Sequence, residues 1–189
     1  MIHIRQLTLE DVPELIAILK RDWYCRFVDF RCEDESLKKE FLKIINGDID
    51  FENPQISYFG LFNENELLGY AKLAILTERA FLSGLFVNEN QTEKGFEGLL
   101  LKTCVEKALE AGIHSMKVEV EDLNTSAISF YTQYGFSRQP NKLLYPSTGI
   151  YRHYNVAMIS MDLHHSLNLL SAEDDPEDEF IQYSAASAA

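Results

Sequence analysis

The segment from Phe81 to Phe136, FLSGLFVNENQTEKGFEGLLLKTCVEKALEAGIHSMKVEVEDLNTSAISFYTQYGF, constrains this chain more than any other part of it. Phe81–Val87 is almost wholly apolar, as a strand buried on both faces would be. Phe96, Leu100, Cys104 and Ala108 recur every four residues, which predicts a helix from about Gly95 to Ala111 with Gly112 as its stop. Ser115–Val120 alternates as a strand, and Ser126–Tyr134 reads as a short helix ended by Gly135. A strand that runs through a glycine-bearing loop into a helix is what a phosphate-bearing cofactor needs. The free backbone N–H groups of a helix start make an anion cradle. In this chain the loop also carries Glu93 and Glu97, where a pyrophosphate would prefer no carboxylate.

The flanking sequence completes one α/β (α+β) domain. Ile2–Leu7 alternates as a first strand, and Thr8 with Asp11 three residues on resembles a helix start, stapled by Leu7 and Val12. The helix is expected over Leu9–Lys20, with Leu15, Ile16 and Leu19 turned to the core. Arg21–Arg31 is aromatic-rich and undecided in type. A second helix is expected from about Glu35 to Gly47. Ile56–Phe62 and Leu67–Leu76 read as strands joined by the polar turn Asn63–Glu66, and Tyr154–Leu163 as the last strand. No internal repeat or second domain is visible. Residues 1–165 are expected to form the domain. Residues 166–189 lose periodicity and gain acid, and are expected to be a disordered tail.

Composition narrows the function. A chain of 189 residues, 46% hydrophobic, can bury a proper core. It contains no apolar run long enough to span a membrane and no signal-peptide pattern at its start. The net charge of −13 argues against nucleic acid as a partner, and mildly favours a cationic one. Six of the acidic residues lie in Glu173–Glu179. Cys25, Cys32 and Cys104 fit neither a disulfide framework nor a zinc spacing, so a cytoplasmic setting and no metal are expected. His114 reads as a surface residue. His164-His165, read as the end of the last strand, is poor metal evidence.

The block Asn124-Thr-Ser-Ala-Ile-Ser-Phe-Tyr-Thr-Gln-Tyr-Gly-Phe136 resembles the Asn-x-x-Ala-x-x-Phe-Tyr-x-x-x-Gly-Phe signature of the GNAT superfamily of N-acetyltransferases. The resemblance covers about Ile2 to Leu163, and the context KALEAGIHSMKVEVEDLN is closest to the diamine and thialysine acetyltransferase branch. It implies a mixed, mostly antiparallel central sheet flanked by helices, and acetyl-CoA as the cofactor. Tyr131 falls at the general acid that protonates the departing thiolate. The alternative for Tyr131 is a packed aromatic beside Phe130. The cofactor would lie along Leu85, Phe86 and Val87, the loop residues Thr92, Lys94, Gly95, Phe96 and Gly98, and Asn124. Asn124 is equally a plain helix start.

The chain also departs from the family. Its cradle, Arg/Gln-x-x-Gly-x-Gly/Ala, is matched here only at Gly95; Thr92 and Glu97 stand at the other two positions. The carboxylate pair that the diamine branch carries in the central strand is replaced by Ser83 and Gly84. Glu119 and Glu121 share one face of their strand, and surface exposure is expected for both. Trp23, Tyr24 and Asp29, with Asp22, fall where the family places much of its acceptor pocket. There they would stack on or pair with a cation, or simply close one end of the core. Three functions follow from the resemblance: acetyl transfer to a small cationic amine, a binding or regulatory module that no longer catalyses transfer, or a protein N-terminal or lysine acetyltransferase. Dimers are common among the proteins it resembles, so the resemblance allows a homodimer, although the sequence itself does not show the oligomeric state.

Overall fold

A computed structural model describes residues 1–27, 49–88, 95–145 and 153–172. Its strands are β1 (Ile2–Gln6), β2 (Ile56–Asn63), β3 (Glu66–Ile75), β4 (Ala80–Val87), β5 (Met116–Glu121), β6 (Ser137–Tyr145) and β7 (His153–Ser160). Its helices are α1 (Val12–Phe27), α2 (Phe96–Glu110), α3 (Thr125–Gln133) and α4 (Leu163–Ser171), with a short 3₁₀ turn at Leu9–Asp11 before α1. The strands form one seven-stranded sheet in the order β1-β2-β3-β4-β5-β7-β6. β1 runs antiparallel to β2, β5 and β6 run antiparallel to β7, and β4 runs parallel to β5. The expected mixed, mostly antiparallel sheet is present. The second helix predicted over Glu35–Gly47 and the acidic tail from Glu173 lie outside the described residues.

The contacts divide the chain into two compact units. One is built chiefly from Met1–Lys72 and Gly84–Leu100. Its core holds Leu7, Leu15, Ile18, Tyr58, Phe62, Leu67 and Tyr70, with Leu19, Ile49, Phe51, Ile56 and Phe86 packed against them. On α1 the buried stripe is Leu15 and Ile18, whereas Ile16, expected inside, is only half-buried. A helix face covers positions three and four apart, so Leu15 and Ile18 share it.

The start of α1 is fixed by Asp11. Its carboxylate accepts two bonds from the Arg5 guanidinium, at 2.8 and 2.6 Å, and one from the Thr8 backbone N–H at 2.8 Å. The bonds from Arg5 hold the Asp11 carboxyl down to about 2, against its burial. A depressed carboxyl adds stability above its unfolded value of 3.8 and loses it as the pH falls toward 2. Asp11→Asn should therefore cost about 1–2 kcal/mol near neutral pH. It should also flatten the loss of stability of the native protein between about pH 4 and about pH 2. Denaturant melts at several pH values read both effects; parallel curves for the two proteins would refute the assignment.

The other unit is built from Leu73–Ser83 and Leu101–Glu179. Leu101, Cys104, Val105 and Ala108 of α2 are buried, as are Met116, Val118 and Val120 of β5 and Val156 and Met158 of β7. Cys104 is a core residue, and complete burial pushes its thiol far above the ordinary range.

Two elements of this unit were not foreseen. β6 carries Pro140 and a register shift between Arg138 and Lys142, and it is an edge strand, where proline is tolerated. Its run of polar residues gave no alternating signal. α4 continues to Ser171, so the regularity expected to end at His165 goes on, and His164-His165 lie in a helix rather than closing a strand. Asp162 caps it by accepting from the His165 N–H at 3.1 Å. Leu163, Ser166 and Leu170 are its buried residues, and the Ser166 hydroxyl pairs with that of Ser160 at 2.8 Å. A serine in the middle of the apolar stripe is what concealed the helix. His114 is exposed as expected, with its ring 5.5 Å from that of His164.

Among the described residues no helix is long and apolar enough to cross a membrane, and no group of side chains is arranged to hold a metal ion.

Candidate functional site

In the first unit the relevant geometry is the end of β4 and the start of α2. Gly95 has φ +70°, a conformation that side chains rarely adopt, and a Cβ there would meet nothing within 4 Å. Its carbonyl accepts from the N–H groups of Gly98 at 3.0 Å and Leu99 at 3.3 Å, which begins the helix. Phe96 is buried, 6% exposed. Glu97 is half-buried on the first turn. Burial raises its carboxyl above the ordinary range, and a bond with its own backbone N–H offsets part of that rise. Thr92 and Lys94, with Gln91 and Glu93, lie outside the described residues.

β4 is not buried on both faces, contrary to its apolar sequence. Ala80, Leu82 and Val87 are buried, Leu85 and Phe86 are half-buried, and Ser83 is exposed. A Cβ on Gly69 of β3 would stand 2.6 Å from the Phe86 carbonyl, so glycine lets β3 lie close against the end of β4. The Asn88 N–H bonds the Leu68 carbonyl at 2.9 Å and extends that contact. A Cβ on Gly84 would stand 2.9 Å from the Tyr70 ring and 3.1 Å from its hydroxyl. Tyr70 is 4% exposed in the core and cannot yield cheaply. A side chain at position 84, where the resemblance leads one to expect a carboxylate, would thus meet a buried aromatic ring. A glycine facing a tyrosine on a neighbouring strand is the signal, but the pairing is not readable from sequence spacing.

In the second unit, β4 and β5 are in parallel register from Ala80↔Met116 to Leu82↔Val118. Among the described residues the register stops there, although β5 runs on to Glu121. Lys117, Glu119 and Glu121 alternate with the buried Met116, Val118 and Val120, on the face that also carries Phe81 and Ser83. Glu119 is not the exposed residue expected. Its side chain is 12% exposed and bonds the Lys117 ammonium at 2.6 Å. Asn124 caps α3 by accepting from the Ala127 N–H at 2.9 Å. Tyr131 is 5% exposed and braced edge-on by Phe130 and at a tilt by Phe136, with ring centroids 5.1 and 5.5 Å away. Its carbonyl accepts from the N–H groups of Tyr134 and Phe136, and Gly135 at φ +83° makes the turn. Trp23 and Tyr24 fall in the last turns of α1, and Asp29 lies outside the described residues.

The model of the Acetyltransferase (GNAT) family matches residues 12–136. The chain belongs to that family. The match includes β4, Gly95, Asn124 and Tyr131. A curated relative, the spermidine N(1)-acetyltransferase of Thermoplasma acidophilum, is 27% identical over 143 residues, covering 71% of this chain and 88% of the relative. Among solved structures, the ribosomal-protein-S18-alanine N-acetyltransferase of Escherichia coli aligns with a TM-score of 0.65 at 19% identity, over 85% of this chain and 93% of that one. The PaiA N-acetyltransferase of Thermoplasma acidophilum, in complex with coenzyme A, aligns with a TM-score of 0.64 at 22% identity, over 83% and 98%. At such identities these structures establish the GNAT fold.

Proposed function

We propose that this GNAT protein transfers the acetyl group of acetyl-CoA to a primary amine of a small linear polyamine. The observation that carries the proposal is Tyr131. It is a buried, braced phenol in the family's signature helix, in a chain related to a spermidine acetyltransferase. The cofactor fits the open Gly95 turn, where the positive end of α2 suits a pyrophosphate; Glu97 is the misfit. Acetyl-CoA supplies an activated thioester when bound.

In this proposal the chain's residues hold and protonate. The α2 amides fix the phosphates, so the thioester carbonyl is presented to a neutral amine. A C–N bond forms as the C–S bond breaks. Tyr131 gives its phenolic proton to the departing sulfur, and the proton shed by the amine nitrogen goes to water. A specific observation favours a second reading, a binding module without turnover: Glu97 occupies the anion end of α2. Calorimetric titration with acetyl-CoA, followed by mass spectrometry of spermidine incubated with enzyme and acetyl-CoA, decides between the two. Micromolar-range binding with a mass gain of one acetyl group on spermidine is expected. No heat at millimolar acetyl-CoA would sink the enzyme proposal, and binding without acetylation of any amine would favour the module.

A further inference from the structure

A groove of about 860 Å³ opens in the second unit, between the end of β3 and the face of β5. Leu76, Phe81, Lys117, Glu119 and Met161 line it, and Glu78 and Arg79 add one charge of each sign. Two of its walls are large apolar side chains left in solvent, Leu76 at 47% and Met161 at 69% exposure. The Lys117 ammonium lies inside the lining, 2.6 Å from the Glu119 carboxylate and 5.5 Å from the centre of the Phe81 ring. A carboxylate and an aromatic face on either side are what a bare alkylammonium needs once it gives up water.

We propose that this groove is an alkylammonium subsite. The unreacted ammonium of a linear diamine or polyamine displaces Lys117 from Glu119, and its methylenes lie along Leu76, Phe81 and Met161. The assignment rests on polyamine acetylation as the activity. Lysine ends in a primary alkylammonium on a methylene stem, which is the same chemistry as a polyamine end. The fold therefore already displays its own ligand in place. The exchange swaps one ammonium for another on the same carboxylate, so the ion pair that is lost is made again with the ligand. The exposed Leu76 and Met161, otherwise unexplained on a soluble face, become walls for methylene groups.

Spermidine titrated calorimetrically into the full-length protein tests the subsite directly. Lys117→Met, which removes the internal competitor, should tighten spermidine about tenfold, whereas Lys117→Arg, which keeps a cation there, should stay within about twofold of the parent. Glu119→Gln should weaken spermidine about tenfold. Equal spermidine affinity in the parent and Lys117→Met, or no binding to either, would overturn the subsite whatever the acetylation assay gives. If Lys117→Met tightens spermidine yet the parent acetylates no amine, the subsite stands and the assigned activity falls.

Discussion

Tyr131→Phe should lower kcat about a hundredfold while leaving acetyl-CoA affinity within about twofold. The substitution removes one oxygen and nothing else. The ring is 5% exposed and held by Phe130 and Phe136, contacts that phenylalanine keeps. The helix that carries it is set by the Asn124 cap and the Gly135 turn, neither of which involves the hydroxyl. General acid catalysis contributes about 10²–10⁴-fold. A thiolate is a fair leaving group without help, so the lower end applies. Because the proton moves only as the C–S bond breaks, kcat and kcat/KM should fall together and KM should hardly change. Steady-state kinetics with spermidine and calorimetry with acetyl-CoA make the separation. Unchanged turnover would remove Tyr131 from the mechanism, and a parallel loss of cofactor affinity would make it a binding residue.

The framework around that tyrosine was legible because its elements obey simple periods. Phe96, Leu100, Cys104 and Ala108 follow the helical repeat and are buried. Met116, Val118 and Val120 alternate and are buried. Glycines at 95, 112 and 135 all adopt positive φ at helix boundaries. Where polar residues sit inside an element, the pattern fails. Pro140 concealed edge strand β6, and Ser166 concealed α4, since both break an apolar rhythm without breaking the structure. β4 misled in the opposite way. Its sequence is apolar throughout, but Ser83 is exposed and Leu85 half-buried, because apolar composition does not specify how many faces are covered.

At the candidate site, sequence named Gly95, Asn124 and Tyr131 by position. It could not supply pairings that cross between strands or that depend on which way a side chain turns. That glycine stands at position 84 was visible, but not that a side chain there would meet the Tyr70 ring on β3. The charges of Lys117 and Glu119 were visible, but not that they meet beside the Phe81 ring.

Glu97→Gln should tighten acetyl-CoA by between about tenfold and a hundredfold. A carboxylate roughly 6 Å from a phosphate, at an effective dielectric near 20, opposes binding by about 3 kcal/mol. Screening by salt and rotation of the side chain reduce that figure. Glutamine keeps the length and shape of the side chain, so the change isolates charge. Stability should not fall with it, since burial already disfavours the charged form of Glu97 and glutamine carries no charge.

The pH dependence carries a further signature. Burial raises the Glu97 carboxyl, so the group becomes neutral at a higher pH than an ordinary glutamate. The affinity gap between Glu97→Gln and the parent should therefore narrow as the pH falls from neutral into the acid range, and begin to narrow at a higher pH than an ordinary glutamate would allow. Comparing the two proteins at each pH cancels the titration of the cofactor's own phosphates. A gap that stays constant over that range would mean that Glu97 acts by shape rather than charge. No gap at any pH would mean that the carboxylate turns away from the phosphates, leaving the start of α2 free to bind acetyl-CoA as its open glycine turn suggests.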